Sequence, residues 1–139
     1  MTASPITDGL ENLFKESALA HVSYVNGKGQ IVSWPMWVDY DGEHLLISSP
    51  VGSRKGRSFR ERAQVGISIV SPTNPWHWLS VSGRVVDIRP DEDLAFIDRM
   101  SQKYLGTDYS RRSPREVFTV SIDRVTSSSE RLARWSQST

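Results

Sequence analysis

The sequence predicts an α+β fold that is mainly β, in which six antiparallel strands form a small β-barrel with flanking helices. Three observations lead to this prediction. Apolar and polar residues alternate in several short segments, tight-turn sequences separate the early segments, and three other segments have helical spacing or helix-start signals. The early turns are too short for the crossover that parallel strands require, so we expect antiparallel strands that close on themselves.

The composition limits the class of protein. A chain of 139 residues predicts one domain spanning residues 1–139. Its 17 basic and 16 acidic residues give a net charge of +1, which argues against a nucleic-acid partner attracted by bulk charge. The absence of cysteine excludes disulfides and thiolate catalysis. No apolar run approaches 18 residues and no secretory leader is evident, so we expect a cytoplasmic protein without a membrane partner.

The first half of the chain contains a helical segment and three predicted strands. Residues 1–17 form the helical segment, with Leu10, Leu13 and Phe14 on one face. The strands are expected at 19–25, 30–40 and 43–49, separated by the turn sequences NGKG and DG. The second strand contains Pro35, which cannot donate a hydrogen bond to a neighbouring strand. We therefore expect an edge, a bulge or the approach of a group other than a strand at this point.

The second half of the chain contains a short basic helix, three more strands and the clearest helix. The strands are expected at 65–70, 76–88 and 116–125. A change of apolar parity after Val85 predicts a β-bulge in the second of these strands. The helix over 91–106 has acidic residues at its start and ends at Gly106, a typical C′ residue. Residues 128–139 are expected to form a frayed tail or a short docking helix.

A cluster of cations marks the start of the basic helix, in the sequence SSPVGSRKGRSFRERAQ over residues 48–64. Ser53 is a suitable N-cap, which places Arg54, Lys55 and Arg57 in the first turn. A helix start already carries about half a positive charge, so each of these cations costs about 0.3–1 kcal/mol. Three unfavourable charges at one helix end therefore need an explanation.

Two interpretations of this cluster remain open. In the first, a bound phosphate offsets the charge, using free backbone N–H groups and the hydroxyls of Ser49, Ser53 and Ser58. In the second, the cluster is a solvated helix end in which Arg57 pairs with Glu61, worth only about 0.2–0.5 kcal/mol. The spacing of the residues is compatible with both interpretations.

Tryptophan is abundant and paired. The chain has five tryptophans, and four of them lie in two pairs, Trp34 with Trp37 and Trp76 with Trp78. Large flat side chains clustered in this way fill a core, form an interface or stack on a flat ligand.

The remaining polar residues give weaker signals. The histidines His21, His44 and His77 occur singly on three different elements, so we expect no metal site. No motif predicts a catalytic nucleophile. The sequence RRSPR over residues 111–115 is either a solvated loop or a second site for an acidic group.

Five segments, in order, resemble the pyridoxamine-phosphate-oxidase-like family. They are WVDYDG (37–42), GSRKGRSFR (52–60), VGISI (65–69), NPWHWLSVSGRVVDI (74–88) and DRMSQKYLGTDY (98–109). The resemblance spans roughly residues 19–125. Within the family, the chain looks most like the branch of small oxidoreductases that use the deazaflavin coenzyme F420.

The resemblance implies an FMN-binding type of split β-barrel that forms a homodimer, with two cofactor sites at the interface. Two groups of residues are then implied in cofactor binding. Those around the phosphate are Arg54, Lys55, Arg57, Ser58, Ser48 and Ser49. Those around the three-ring system are Pro35, Trp37, Trp76 and Trp78, the last two in some members from the other subunit.

The resemblance also implies a function, F420-dependent transfer of a hydride between the deazaflavin and an unsaturated small organic substrate. Binding of FMN at the same site is one alternative, because both cofactors combine a phosphate with a three-ring system. A non-catalytic protein that binds a flavin or haem is the other. No side chain is required as a nucleophile, and the proton of the product could come from solvent, Tyr109 or His77.

The chain departs from the family pattern at three positions. It has Gly56 and Ser58 where relatives often have Ala and Asn, which predicts a looser or differently bonded phosphate site. It has Trp34 where a small Thr or Ser is usual. The larger side chain would narrow the pocket for the cofactor ring or fill a position in the barrel, so the identity of the substrate stays open.

Overall fold

The computed structural model describes residue 6 and residues 10–128, which form eight strands and two α-helices. The strands are β1 (Ala20–Val25), β2 (Ile31–Met36), β3 (Asp39–Tyr40), β4 (Leu45–Pro50), β5 (Gln64–Val70), β6 (Trp78–Pro90), β7 (Arg115–Val120) and β8 (Arg124–Ser127). The α-helices are α1 (Arg54–Glu61) and α2 (Ala95–Leu105), and 3-10 turns cover Leu10–Phe14 and Glu92–Leu94. Residues 129–139 of the predicted tail lie outside the described residues, as do residues 1–5 and 7–9 of the predicted N-terminal helical segment. None of the described helices is long and apolar enough to span a membrane.

The strands form a curled antiparallel sheet in the order β2-β1-β5-β6-β7-β4-β3, with β8 paired to β6. This confirms the α+β, mainly β split barrel that the sequence predicts. Strands β2 and β3 are the two edges of the sheet, and residues 37–38 connect them. The chain therefore crosses the opening of the barrel immediately after Pro35 and Met36.

The two predicted tight turns are confirmed. In the first, the side-chain oxygen of Asn26 accepts hydrogen bonds from the backbone N–H groups of Lys28 and Gln30, at 2.9 and 3.0 Å. In the second, the Asp41 carboxylate accepts two backbone N–H groups, and Gly42 has a φ of 97°, which favours glycine. These turns set the register of β1 with β2 and of β3 with β4.

The structure has eight strands where the sequence predicts six, because two predicted strands are each interrupted. The segment over 30–40 divides into β2 and β3, since residues 37–38 leave the ladder to connect the sheet edges. The segment over 116–125 divides into β7 and β8 at residues 121–123. These two strands pair with opposite halves of the long strand β6, so the chain must bend between them.

Strand β6 links the two halves of the barrel, and the predicted β-bulge is confirmed between Val85 and Asp87. Gly83 lies just before the bulge, where the chain passing from β7 to β8 crosses β6. A Cβ at Gly83 would lie 1.8 Å from the carbonyl oxygen of Ser121. A side chain at this position would displace the crossing backbone, so the close approach requires glycine.

Two hydrophobic clusters hold the elements together. The larger one fills the barrel, where Phe59 of α1 and Phe118 of β7 meet edge to face with centroids 5.2 Å apart. The smaller one joins α2 to β4 and β7 through Leu46, Phe96, Met100 and Val117. Trp37 and Tyr104 pack against the smaller cluster. Helix α2 is thereby fixed beside the linker at the barrel opening.

The start of α2 is held by one carboxylate. Both oxygens of Asp91 accept backbone N–H groups, from Phe96 at 2.8 Å and from Ile97 at 2.9 Å. A negative charge at this end of a helix is favourable. The preceding Asp93 and Leu94 have left-handed φ values of 54° and 58°, which turns the chain sharply into the helix.

We expect Gly83→Ala to lower the free energy of unfolding by about 1–3 kcal/mol, because the new Cβ would clash with the Ser121 backbone. Gly66→Ala on strand β5 is the matched control, since a Cβ there meets nothing within 4 Å. Urea denaturation measures both variants. Equal losses of stability in the two variants would contradict the close approach.

Candidate functional site

A cavity of about 290 Å³ opens between the end of β2, the end of β4, the start of α1 and the first turns of α2. Its polar lining consists of Ser48, Lys55, Tyr109 and Arg115. Its apolar lining consists of Leu19, Pro35, Met36, Trp37, Phe96, Ile97 and Met100. A concave site with apolar walls and a few convergent polar groups is typical of small-molecule binding.

The start of α1 is fastened to the end of β4 by two serines. Ser53 is the N-cap, as predicted, and its Oγ accepts the backbone N–H of Gly56 at 3.0 Å. Ser49 is fully buried, and its Oγ lies 2.7 Å from that of Ser53. Gly52, with a φ of 80°, makes the turn between strand and helix. Ser49 therefore orients the helix start, and the first turn of α1 faces the cavity through Lys55.

Two cations share the cavity, and no described carboxylate lies close enough to form a salt bridge with either of them. Burial, and then the positive charge of Arg115, lower the pKa of Lys55 from its usual 10.5. Burial also lowers the pKa of Arg115, and the attraction of Tyr109 and Asp91 opposes this only in part. Among the described residues neither cation forms a salt bridge, and the Arg115 Nε instead donates to the Ser48 Oγ at 3.0 Å. Half-buried like charges destabilise the free protein, whereas an anion beside them would be attracted by both.

A row of aromatic rings lies next to the two cations. The Arg115 guanidinium lies 5.1 Å from the ring centroid of Tyr109, within the range of a cation–π contact. Tyr109 meets Trp37 edge to face with centroids 5.8 Å apart. Trp37 in turn stacks on Tyr104, with centroids 5.2 Å apart and planes inclined by 7°. The cavity thus joins a positive end to a flat aromatic wall.

Arg54 and Arg57 lie apart from Lys55. They line a second depression of about 450 Å³ between α1 and the β1–β2 turn, together with Ser58 and Glu61. Residues three apart on a helix share a face, whereas adjacent residues are rotated by about 100°, so the single cluster in the sequence divides in space. The alternative pair of Arg57 with Glu61 is not among the ion pairs of the described residues, and Glu61 pairs with Arg62 instead.

Trp34, Trp76 and Trp78 lie outside the cavity. Trp34 is 46% exposed, donates from Nε1 to the Tyr24 hydroxyl at 3.0 Å and lies with its ring 5.2 Å from the Lys55 ammonium. Trp76 is 74% exposed in the loop before β6, and Trp78 begins that strand. In the sheet, β6 is separated from β2 by β1 and β5. Within one copy of the chain, Trp76 and Trp78 therefore do not join Pro35 and Trp37.

The histidines also remain separate. His21 lies exposed on β1, His44 has its Nδ1 3.7 Å from the Asp41 carboxylate, and His77 lies in the loop before β6. In the part of the chain that the structure describes, no group of three or more His, Asp or Glu side chains is placed to hold a metal ion.

Arg115 is the main site residue that the sequence does not single out. It is the last residue of RRSPR, which the sequence leaves open between a loop and a site for an acidic group. In the structure it begins β7 and pairs with Pro50 at the end of β4, a register that brings it to Ser48. Only the pairing of β4 with β7 reveals this neighbourhood. The basic cluster itself was the available signal.

We expect Lys55→Met to remove an unfavourable charge from the free protein. At low ionic strength the variant should unfold at the same or a higher denaturant concentration than the parent. Added salt should stabilise the parent more than the variant, because salt screens the repulsion between Lys55 and Arg115. Arg62→Met is the control, because Arg62 follows α1 and forms an exposed ion pair with Glu61. This variant should lose up to about 0.5 kcal/mol of stability. A loss of stability in Lys55→Met at low salt would contradict the repulsion.

Comparisons with known proteins agree with this architecture. A sequence model of the family described as pyridoxamine 5'-phosphate oxidase matches residues 6–129. The structure of an F420 reductase superposes with a TM-score of 0.77 at 27% identity, over 87% of this chain and 98% of the reductase. No curated protein matches the chain significantly.

Two mycobacterial structures share the fold at lower identity. A conserved hypothetical protein from Mycobacterium tuberculosis superposes with a TM-score of 0.66 at 13% identity, over 91% of this chain and 87% of that protein. An FAD- and haem-binding protein from Mycobacterium smegmatis superposes with a TM-score of 0.62 at 18% identity, over 89% of this chain and 70% of that protein. At these identities the likeness concerns the fold alone.

Proposed function

Because this chain belongs to the pyridoxamine 5'-phosphate oxidase family, we propose that it is an F420-dependent oxidoreductase whose cofactor binds in the cavity beside Lys55 and Arg115. When bound, the reduced deazaflavin supplies the hydride for an unsaturated small organic substrate. The residues of the chain bind and orient the cofactor, and they shield one side of it from water.

The paired cations carry this proposal. Lys55 and Arg115 share a half-buried position that is unfavourable without a counter-ion, and the phosphate of the cofactor supplies the missing charge. Ser48 accepts a hydrogen bond from Arg115, which leaves its own O–H to donate to a phosphate oxygen. Arg54 and Arg57 face the neighbouring depression and add positive potential to the approach.

The walls of the cavity fit a flat ring system. Pro35 is the residue before the end of the edge strand β2 and leaves no backbone N–H donor there. Trp37 presents an aromatic surface whose other face stacks on Tyr104. Apolar side chains of α2, among them Phe96 and Met100, exclude water from the other part of the cavity. Of the two side chains considered as proton donors, Tyr109 lines the cavity, whereas His77 lies away from it.

The proposed functional unit is a homodimer of this chain. The cavity is open to one side, and Trp76 and Trp78 do not line it within one copy. A homodimer would allow these tryptophans to approach the ring from the partner, and it would cover the exposed apolar surface of Trp76. The cofactor sites would then lie at the interface.

F420 is favoured over the two alternatives by the F420 reductase structure, which this chain resembles over nearly its whole length. FMN would satisfy the same cations, since it also carries a phosphate beside a three-ring system. Binding of a flavin or haem without catalysis is the remaining alternative. The FAD- and haem-binding protein supports that alternative through its fold only.

Titration of the purified protein with F420 and with FMN, followed by cofactor fluorescence, tests the proposal. We expect F420 to bind more tightly, and Lys55→Ala with Arg115→Ala to weaken binding by at least about tenfold, which is about 1.4 kcal/mol, because two charge-assisted contacts are lost. Arg62→Ala, at the C-cap that follows the same helix, is the matched control and should bind like the parent. Equal dissociation constants in the double variant and the parent would refute the phosphate assignment.

Turnover separates an enzyme from a storage protein. Reduced F420 should be oxidised in the presence of the protein and an unsaturated acceptor, with little oxidation when either is left out. Tighter binding of FMN than of F420 would favour the FMN alternative. Tight binding of F420 with no oxidation by any acceptor would favour a non-catalytic role.

A further inference from the structure

We propose that Tyr104 is a positioning residue that fixes Trp37 against the cofactor ring, an inference that rests on the proposed function. Tyr104 lies near the C-terminal end of α2 and does not line the cavity. Its ring stacks on the Trp37 indole, with centroids 5.2 Å apart and planes inclined by only 7°. One face of Trp37 is therefore held by Tyr104, and the cavity lies on the exposed part of the same side chain.

The linker that carries Trp37 needs such support. Strand β2 ends at Met36 and β3 begins at Asp39, so Trp37 and Val38 lie between two edge strands and outside the regular ladder. Strand pairing therefore does not set the orientation of the indole. Edge segments that lack regular pairing are among the first to open locally.

Tyr104 and its neighbour bind both backbone groups of Val38. The Tyr104 hydroxyl accepts the Val38 N–H at 3.4 Å and donates to the Ala18 carbonyl at 2.6 Å. The Lys103 ammonium donates to the carbonyls of Val38 and Phe14, each at 2.9 Å. The end of α2 thus ties the residue after Trp37 to the segment before β1.

The hydroxyl of Tyr104 is suited to this role at neutral pH. Burial raises the pKa of Tyr104 above its usual value, so the phenol keeps its proton and donates to Ala18. The contact chain then runs from Tyr104 through Trp37 and Tyr109 to Arg115 at the phosphate end. Loss of the stack between Tyr104 and Trp37 should therefore weaken the contacts with the cofactor ring more than the contacts with its phosphate.

Fluorine NMR of the protein labelled with 5-fluorotryptophan tests the first step, with the Trp37 resonance assigned by Trp37→Phe. Tyr104→Leu should shift and broaden that resonance in the free protein, and Tyr104→Phe, which keeps the stack, should change it less. Tyr40→Leu is the matched control, because Tyr40 also packs on an aromatic ring, Phe14, away from the cavity. An unchanged Trp37 resonance in folded Tyr104→Leu would overturn the proposal.

Cofactor affinity tests the second step through a double-mutant cycle. In the parent background, Tyr104→Leu should weaken F420 binding by about fivefold or more. In a Trp37→Leu background it should have no further effect, because Tyr104 acts through Trp37. Additive losses in the cycle would overturn the positioning role. If the parent bound neither F420 nor FMN, the proposed function would fail, while the fluorine spectrum would still decide whether Tyr104 fixes Trp37.

Discussion

The placement of two cations in one half-buried cavity is the constraint on which the account of this protein depends. Lys55 and Arg115 come from different elements, and no described carboxylate forms a salt bridge with either of them, although Asp91 attracts Arg115 at longer range. Charges of the same sign at such a position oppose folding, and stability elsewhere in the molecule has to offset them. Functional sites commonly show this arrangement, in which the ligand completes the electrostatics that the free protein lacks.

The fold brings these cations together through strand pairing and helix capping. The register of β4 with β7 sets Arg115 beside Ser48, and the buried pair of Ser49 and Ser53 fixes the start of α1 next to them. Tertiary packing then adds α2, whose start is held by the Asp91 carboxylate and whose apolar face closes another part of the cavity. The binding surface is therefore built from elements that are distant in the sequence.

Local sequence signals predict the fold well because their causes are local. Alternation, the turns after β1 and β3, the Ser53 cap and the bulge near Val85 each depend on a few adjacent residues. The division of Arg54, Lys55 and Arg57 between two faces also follows from the helical period, and treatment of the three cations as one site overlooks it. The role of Arg115 depends on the pairing of strands far apart in the chain, so the sequence shows only that Arg115 belongs to a basic cluster. The same holds for the separation of the two tryptophan pairs.

The most direct test is the pKa of the Lys55 ammonium, measured by NMR of lysine-labelled protein with and without cofactor and assigned through Lys55→Arg. In the free protein the pKa should lie below the usual 10.5, because burial and the positive charge of Arg115 disfavour the protonated form. Saturation with F420 should raise this pKa, since a phosphate nearby favours the protonated form of Lys55. The affinity for F420 should fall as the pH rises through the pKa that Lys55 has in the free protein. A Lys55 pKa that is the same with and without bound cofactor would contradict the central claim.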